Sequence, residues 1–342
     1  MKTGITDFAV YLEAFFTEYL GAEMNVSRHT IRSYRDTFVH LIDYMDEIQK
    51  IPVGKLLMKS FNRDIILKFL DWLEENRNNS IATRNQRYTA ICSFFQFMER
   101  KDPTKMATWQ SIRSIRLKKK KTASINYLTT DGIKCILDQV PLNSRHGRRN
   151  LTILSLLYET GARVQELIDL TCASIRLEKP AIVRLHGKGN KSRVVPLRDQ
   201  MVDILETYLE ENHLSFPYEN TQPLFFNNAR NKLTGSGITH ILKSYTIMAR
   251  AVNPELIPDK ISPHCFRHSR AMHLLQAGVN LVYIRDLLGH VSIQTTEIYA
   301  KADSKFKREA IERASENLFS TEIKQTSWEK DKELKSFLKG LA

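Results

Sequence analysis

Apolar residues return every three or four positions along nearly the whole chain, and one short stretch breaks that rhythm. There Ile182-Val183-Arg184-Leu185 and Arg193-Val194-Val195-Pro196-Leu197 flank a Gly187-Lys188-Gly189-Asn190 turn, the pattern of a two-stranded hairpin. A chain so patterned is expected to be mainly α with a small antiparallel β-sheet in its C-terminal half. At 342 residues it is long enough for two domains.

The first 112 residues read as helices joined by short connections. Phe8, Leu12, Phe15, Phe16 and Leu20 form one stripe; Ile31, Tyr34, Phe38, Leu41, Ile42 and Met45 form a second, opened by Ser27. Asn62 is expected to cap a helix over 63–75 that turns Ile66, Phe69, Leu70 and Leu73 inward. Ser80 is expected to open another, with Tyr88, Ile91, Phe95 and Met98 at core spacing. The outer faces of the second and fourth helices carry Arg28, Arg32, Arg35 and Arg84, Arg87, Arg100. Such side chains contact a phosphate backbone or are simply solvated.

The formal net charge is +13, from 51 Lys+Arg against 38 Asp+Glu, which favours a polyanionic partner, most commonly nucleic acid. It is unevenly spread. Residues 1–112 hold 15 basic and 14 acidic side chains, a balance of +1, so +12 lies beyond them. Pro103 and the basic run Arg113, Arg116, Lys118, Lys119, Lys120 and Lys121 mark a linker, taken as 113–125. It would join a helical domain over 1–112 to a second domain over 126–320, and it can track phosphates or remain solvated chain. Cys92, Cys135, Cys172 and Cys265 form no CxxC pair, so reduced thiols and a cytoplasmic protein are expected. Glu13 and Glu18 interrupt any signal-like segment, and no uncharged apolar run approaches the ~18 residues that span a bilayer.

Beyond the linker, Leu128-Thr129-Thr130-Asp131 leads into a helix through Ile133, Ile136, Leu137 and Val140. Residues 143–149 read as a polar turn before a helix over 151–160 that Gly161 stops. Helices are also expected over 201–212, 237–251, 263–277 and 281–288. A terminal stretch over 328–341 carries Trp328, Leu334, Phe337, Leu338 and Leu341 on one side. As part of a tail over 321–342 it can dock on a neighbouring protomer, pack on its own domain, or fray.

Chemistry-bearing residues concentrate in this half. Thr160-Gly161-Ala162-Arg163-Val164-Gln165-Glu166-Leu167 comes first, then His264-Cys265-Phe266-Arg267-His268, then Leu288-Gly289-His290 and Thr295-Thr296-Glu297-Ile298-Tyr299. Arginine forks meet non-bridging phosphate oxygens with a charge that never titrates away, and losing one such preorganised donor costs roughly 3–4 kcal/mol. Histidines donate to the same oxygens or move protons, and tyrosine can form a phosphate ester. A free tyrosine has pKa ≈ 10, so deprotonation near neutral pH costs about 4 kcal/mol. Neighbouring cations are expected to lower that cost, and His264 to accept the proton. His264 and Arg267 stand at i and i+3, so one helix face presents both, and Arg163 and Glu166 share the spacing. Glu166 is assigned to orientation, because a carboxylate at the phosphate would repel it. Lys188, on the tight turn, suits the acid that protonates a departing DNA hydroxyl, with Lys191 and Arg193 as nearby competitors.

From about residue 126 to 310 these motifs, in order and in spacing, resemble the catalytic domain of the tyrosine recombinases, the phage-integrase and Xer-type family. The N-terminal half resembles that family's helical core-binding domain less strictly. The resemblance implies Arg163, Lys188, His264, Arg267, His290 and the nucleophile Tyr299 as the catalytic set, with Glu166 and His268 in support. It implies a two-domain clamp on double-stranded DNA, a 3′-phosphotyrosine intermediate that frees a 5′-hydroxyl, a Holliday junction, and four protomers in the synaptic complex. Bond energy stays in the phosphotyrosine, so neither cofactor nor metal is expected. A partner recombinase or accessory factor is compatible with this; a membrane partner is not expected.

Rival readings are a type IB topoisomerase-like nicking-closing enzyme and a binding-only protein with a decayed site. Within the family, resolution of chromosome or plasmid dimers competes with integration or transposition of a mobile element. The polar stretch at 141–149 and the extended tail tilt the reading toward a mobile-element integrase. The glycine-containing turn lacks the spacing and following helix of a Walker A loop, and His264, Cys265 and His268 lack a convincing fourth zinc ligand.

Overall fold

Short polar side chains open most of the helices. The computed structural model describes residues 5–119, 125–187, 191–214, 221–302 and 332–341, and the chain divides into two units, Met1–Ala123 and Ser124–Ala342. In the first, α1 (Asp7–Ala14) runs into a π-helical stretch (Phe15–Glu23). Ser27 Oγ accepts from Thr30 N at 3.3 Å to open α2 (Arg28–Glu47). Asn62 Oδ1 accepts from Ile65 N at 2.9 Å to open α3 (Arg63–Glu75), and Ser80 Oγ accepts from Thr83 N at 3.2 Å to open α4 (Ile81–Lys101). The apolar stripes turn inward as their spacing predicts: Phe38, Leu41, Met45, Ile66, Phe69, Leu70, Leu73, Tyr88, Ile91, Phe95 and Met98 are all buried. Phe94 belongs to the same core, its ring 5.2–5.3 Å from those of Phe15, Phe38 and Phe95.

The chain does not leave this unit at Pro103. It makes a single 3-10 turn (Pro103–Lys105) and then α5 (Met106–Arg113), whose Trp109 and Ile112 are buried. Trp109 stacks on Phe95 at 5.2 Å, and Tyr88 Oη donates to Ile112 O at 2.9 Å. With so few core residues in so short a helix, α5 carries too little periodicity to be read from sequence.

In the second unit Thr129 caps α6 (Thr130–Leu137) and Ser144 caps α7 (Arg145–Thr160). The segment expected as a turn over 143–149 is therefore largely the start of α7; polar residues on an exposed first turn imitate loop composition. Gly161, at φ +57°, ends α7 and leads into α8 (Val164–Ile168). Three antiparallel strands follow in spatial order, β1 (Ile175–Arg176), β2 (Ile182–His186) and β3 (Ser192–Pro196), with Val183 opposite Val195 and Leu185 opposite Arg193. Helices α9 (Asp199–Glu211), α10 (Gly235–Val252), α11 (Pro263–Gln276) and α12 (Leu281–Leu288) keep close to their expected bounds. Helix α13 (Gln294–Ala302), which carries Tyr299, has no sequence signal strong enough to predict it. Ile153, Leu154, Leu156 and Leu157 of α7 are fully buried at the centre of this unit.

Near the C-terminus α14 (Lys332–Lys339) leaves Phe337, Leu338 and the following Leu341 exposed; Trp328 of the expected terminal helix lies outside the described residues. Among the described residues no helix is long and apolar enough to cross a membrane.

Candidate active site

Two left-handed glycines bring the arginines together. Gly161 (φ +57°) ends α7 and Gly289 (φ +65°) ends α12. The positive φ at both positions favours glycine, and a Cβ would crowd Leu288 Cδ2 at 2.7 Å from Gly161 or Arg193 Nη1 at 2.9 Å from Gly289, so those side chains would have to shift. That close approach lets Arg267 Nη1 donate to Gly161 O and its Nη2 to Leu288 O, each at 2.6 Å. Arg267 is 3% exposed. Burial, then the nearby Arg163 and Arg193, bring its pKa down to about 10, so it stays charged at neutral pH.

Glu166 joins two more guanidinium groups. Its Oε2 accepts from the backbone N of Arg163 at 2.8 Å and its Oε1 from Arg163 Nη1 at 2.6 Å. Arg193 reaches the same carboxylate from β3, Nη1 to Oε1 at 3.0 Å and Nη2 to Oε2 at 2.8 Å, while its Nε donates to Leu287 O. Burial alone would raise the Glu166 pKa, but these donors overcome it and hold the carboxyl at about 2. Arg163 also donates from Nη2 to Gly289 O at 3.3 Å, and keeps 39% of its side chain exposed.

Tyr299 is buried at 1% exposure, its hydroxyl 2.9 Å from His268 Nδ1. Its ring lies parallel to that of His290, 6.4 Å apart. Arg267 and Arg163 pull the phenol's pKa down as expected, but burial is the larger effect and the net shift is upward. His264, expected as the proton acceptor, is exposed, and its ring is 6.4 Å from that of His268. Partial desolvation, for His264 despite its exposed edge, and neighbouring cations lower the pKa of His264, His268 and His290, the last to about 4, so all three favour the neutral imidazole at pH 7. His290 Nδ1 is 2.9 Å from Thr296 Oγ1, a fully buried hydroxyl that sequence reasoning overlooked; its place six residues beyond the histidine is the available signal.

Arg163, Glu166, Arg267, His268, His290 and Tyr299 thus share one cluster, with His264 on its exposed side. Lys188 lies outside the described residues. The hairpin's near end borders the cluster, since a Cβ at Gly187 would sit 3.2 Å from Glu166 Oε1. Cys265 Sγ approaches Ser262 N rather than joining the histidines.

The Phage integrase family pattern matches residues 126–305, and the Phage integrase, N-terminal SAM-like domain pattern matches residues 14–102. The chain belongs to the phage integrase family of tyrosine recombinases. It is accordingly a DNA strand transferase of the site-specific recombinase type. This recombinase is 32% identical to the putative integrase/recombinase y4rC of Sinorhizobium fredii over 90% of its own length and 91% of that protein. It is 33% identical to the tyrosine recombinase XerD of Oceanobacillus iheyensis, over 84% and 92% respectively. In fold it is similar to the XerH recombinase in a pre-cleavage complex with difH (TM-score 0.64, 24% identity, 84% of this chain and 80% of that one). It is also similar to the Tn1549 transposon integrase in complex with transposon right end DNA (TM-score 0.65, 17% identity, 88% and 98%).

The basic residues of the recombinase expected to touch DNA divide into two groups. Arg32 of α2 and Arg87 of α4 border one cleft of about 230 Å³, with His29 and Gln86 beside them. Arg28, Arg35, Arg116, Lys119 and Lys191 are exposed, Arg35 paired to Asp36 at 2.8 Å. Arg84, by contrast, is 2% exposed and turned onto Glu74 at 2.9 Å, so it belongs to the core. Arg193 is likewise committed to Glu166, with 11% of its side chain exposed. Arg113 donates to Glu99 at 2.6–2.7 Å, and Lys118 to Glu74 at 2.7 Å, which removes the picture of an unpaired cationic linker at those positions. Lys120 and Lys121 lie outside the described residues.

Proposed function

We propose that this recombinase binds duplex DNA and cuts and rejoins it through a 3′-phosphotyrosine at Tyr299, passing through a Holliday junction in an assembly of four protomers. The observation that carries the reading is the gathering of Arg163, Arg267, His268, His290 and Tyr299 in one cluster from α7–α8, α11, α12 and α13. Arg163, with its partly exposed side chain, and Arg267 stabilise the added negative charge on the non-bridging oxygens. His290 Nδ1 pairs with Thr296 Oγ1 at 2.9 Å; in the tautomer where the hydroxyl supplies that proton, Nε2–H adds a neutral donor. Tyr299 Oη forms the bond to phosphorus as the DNA 5′-oxygen leaves. Its hydrogen bond favours His268, over His264, as first acceptor of the phenolic proton. Lys188 is assigned to protonating the leaving oxygen, and Glu166 to orienting Arg163. Residues 1–112 supply DNA contacts from Arg28, Arg32, Arg35 and Arg87; residues 113–125 link them to a catalytic domain over 126–320.

Its biological role is integration or transposition of a mobile element, a reading supported by the resemblance to an integrase/recombinase over nine-tenths of the chain. The XerD relatives favour dimer resolution as the second reading. A nicked suicide substrate drawn from the DNA flanking the gene tests the chemistry. Wild type is expected to leave a covalent adduct and Tyr299→Phe none; an adduct that survives the substitution removes the nucleophile. Relaxation of plasmids lacking that site would instead mark a nicking-closing enzyme.

A further inference from the structure

Helix α7 ends beside the catalytic cluster, and a second basic cluster stands at its other end, about 24 Å away along sixteen residues. There a cavity of about 240 Å³ is lined by Arg145, His146, Arg149, Phe226, Asn228 and Arg230. Every cation in it is steadied by a neutral partner. Arg145 Nη2 donates to Glu211 O at 2.9 Å and to Asn212 Oδ1 at 3.1 Å. Arg149 Nη1 donates to Phe226 O at 2.9 Å, and its Nε and Nη2 both donate to Asn150 Oδ1. Arg230 lies 4.7 Å from the centre of the Phe226 ring. It is set there by a tight loop in which it adopts φ +59° and Asn227 Oδ1 accepts from the amides of Ala229 and Asn231 at 3.0 Å. His146 Nε2 meets Asn228 Oδ1 at 2.5 Å.

No carboxylate lines the cavity among the described residues, and the neighbouring Glu211 carboxylate is engaged by Arg148 at 2.5 Å. Three guanidinium groups gathered without a counter-charge repel one another, and a bound anion relieves that repulsion. Carbonyl and amide partners fix the forks without cancelling their charge, which is the preorganisation that phosphate recognition rewards. We propose that this cavity is a phosphate-binding site, separate from the cluster around Tyr299, that takes a backbone phosphodiester of DNA or a free phosphate anion.

Wild type and the full-length double variant Arg145→Gln/Arg230→Gln, which spares the bonds of Arg149, distinguish the sources. In one arm thermal unfolding is followed in inorganic phosphate and in chloride of equal ionic strength. In the other, duplex binding is followed against salt. A phosphate-specific rise in Tm that the variant loses identifies a free-anion site. A dependence of log K on log[salt] that is shallower by about 1 in the variant identifies a DNA phosphate. Either response supports the proposal. Wild type that unfolds alike in phosphate and chloride, together with a variant whose salt dependence is unchanged, overturns it. The DNA arm rests on the function proposed above, and adduct formation by the double variant on a nicked substrate tests that function separately.

Discussion

Glu166→Gln asks how much one buried carboxylate contributes to the cluster. The carboxyl is 4% exposed and accepts from Arg163 and Arg193. Its pKa falls from the ordinary 4.5 to about 2, and at 1.36 kcal/mol per pKa unit the folded state favours the anion by about 3 kcal/mol. Glutamine keeps the shape and removes the charge, leaving two guanidinium groups facing each other; breaking a buried pair in this way costs a similar amount. The sign follows from the depressed folded value. The stabilisation is fully present above pH 4.5 and drains away as pH falls toward 2. Wild type and variant are equilibrated in urea from pH 7 down to pH 2.5, then pulse-labelled with deuterium at one fixed pH. Peptides spanning 182–196 report unfolding around β2 and β3. The expected stability gap is about 3 kcal/mol at pH 7, closing as the pH approaches the folded value. Equal stability at pH 7, or a gap that does not narrow in acid, refutes the reasoning.

Three further outcomes follow from the same geometry. Gly161→Ala places a methyl 2.7 Å from Leu288 Cδ2 at a positive φ, and calorimetry should find about 2 kcal/mol lost and the Tm down by several degrees. Because burial holds His290 neutral with a pKa of about 4, wild type should lose stability relative to His290→Gln as pH falls from 6.5 toward 4; urea titrations that stay parallel across that window contradict this. Arg32→Ala should leave unfolding unchanged and make the salt dependence of DNA binding shallower by about 1, whereas Arg84→Ala should destabilise the protein through Glu74 and its buried site. Unfolding and binding titrations on both variants separate the two roles.

Helices α2, α3 and α4 of the first unit were readable because each begins with a polar cap and repeats its apolar residues on one face, whereas α5 has neither signal. Ser27, Asn62 and Ser80 mark α2, α3 and α4 at the residue where each starts. The same local logic put His264, Arg267 and His268 on one helix, and Gly161 at the stop of α7. What local patterning does not contain is the partner that arrives from elsewhere in the chain. Arg84 and Arg87 sit on the same helix at neighbouring positions, yet Glu74 of α3 draws the first inward and leaves the second at the cleft. Arg193 reads as a surface cation on a strand until β3 brings it against Glu166, twenty-seven residues away. The phenol of Tyr299 rests on His268 rather than His264 because α13 crosses α11 one turn further along. Residue identity and spacing decided which chemistry this chain carries. Packing between distant segments decided which of its charges remain free to use it, because the energy of burying an ion depends on the counter-charge that the fold delivers.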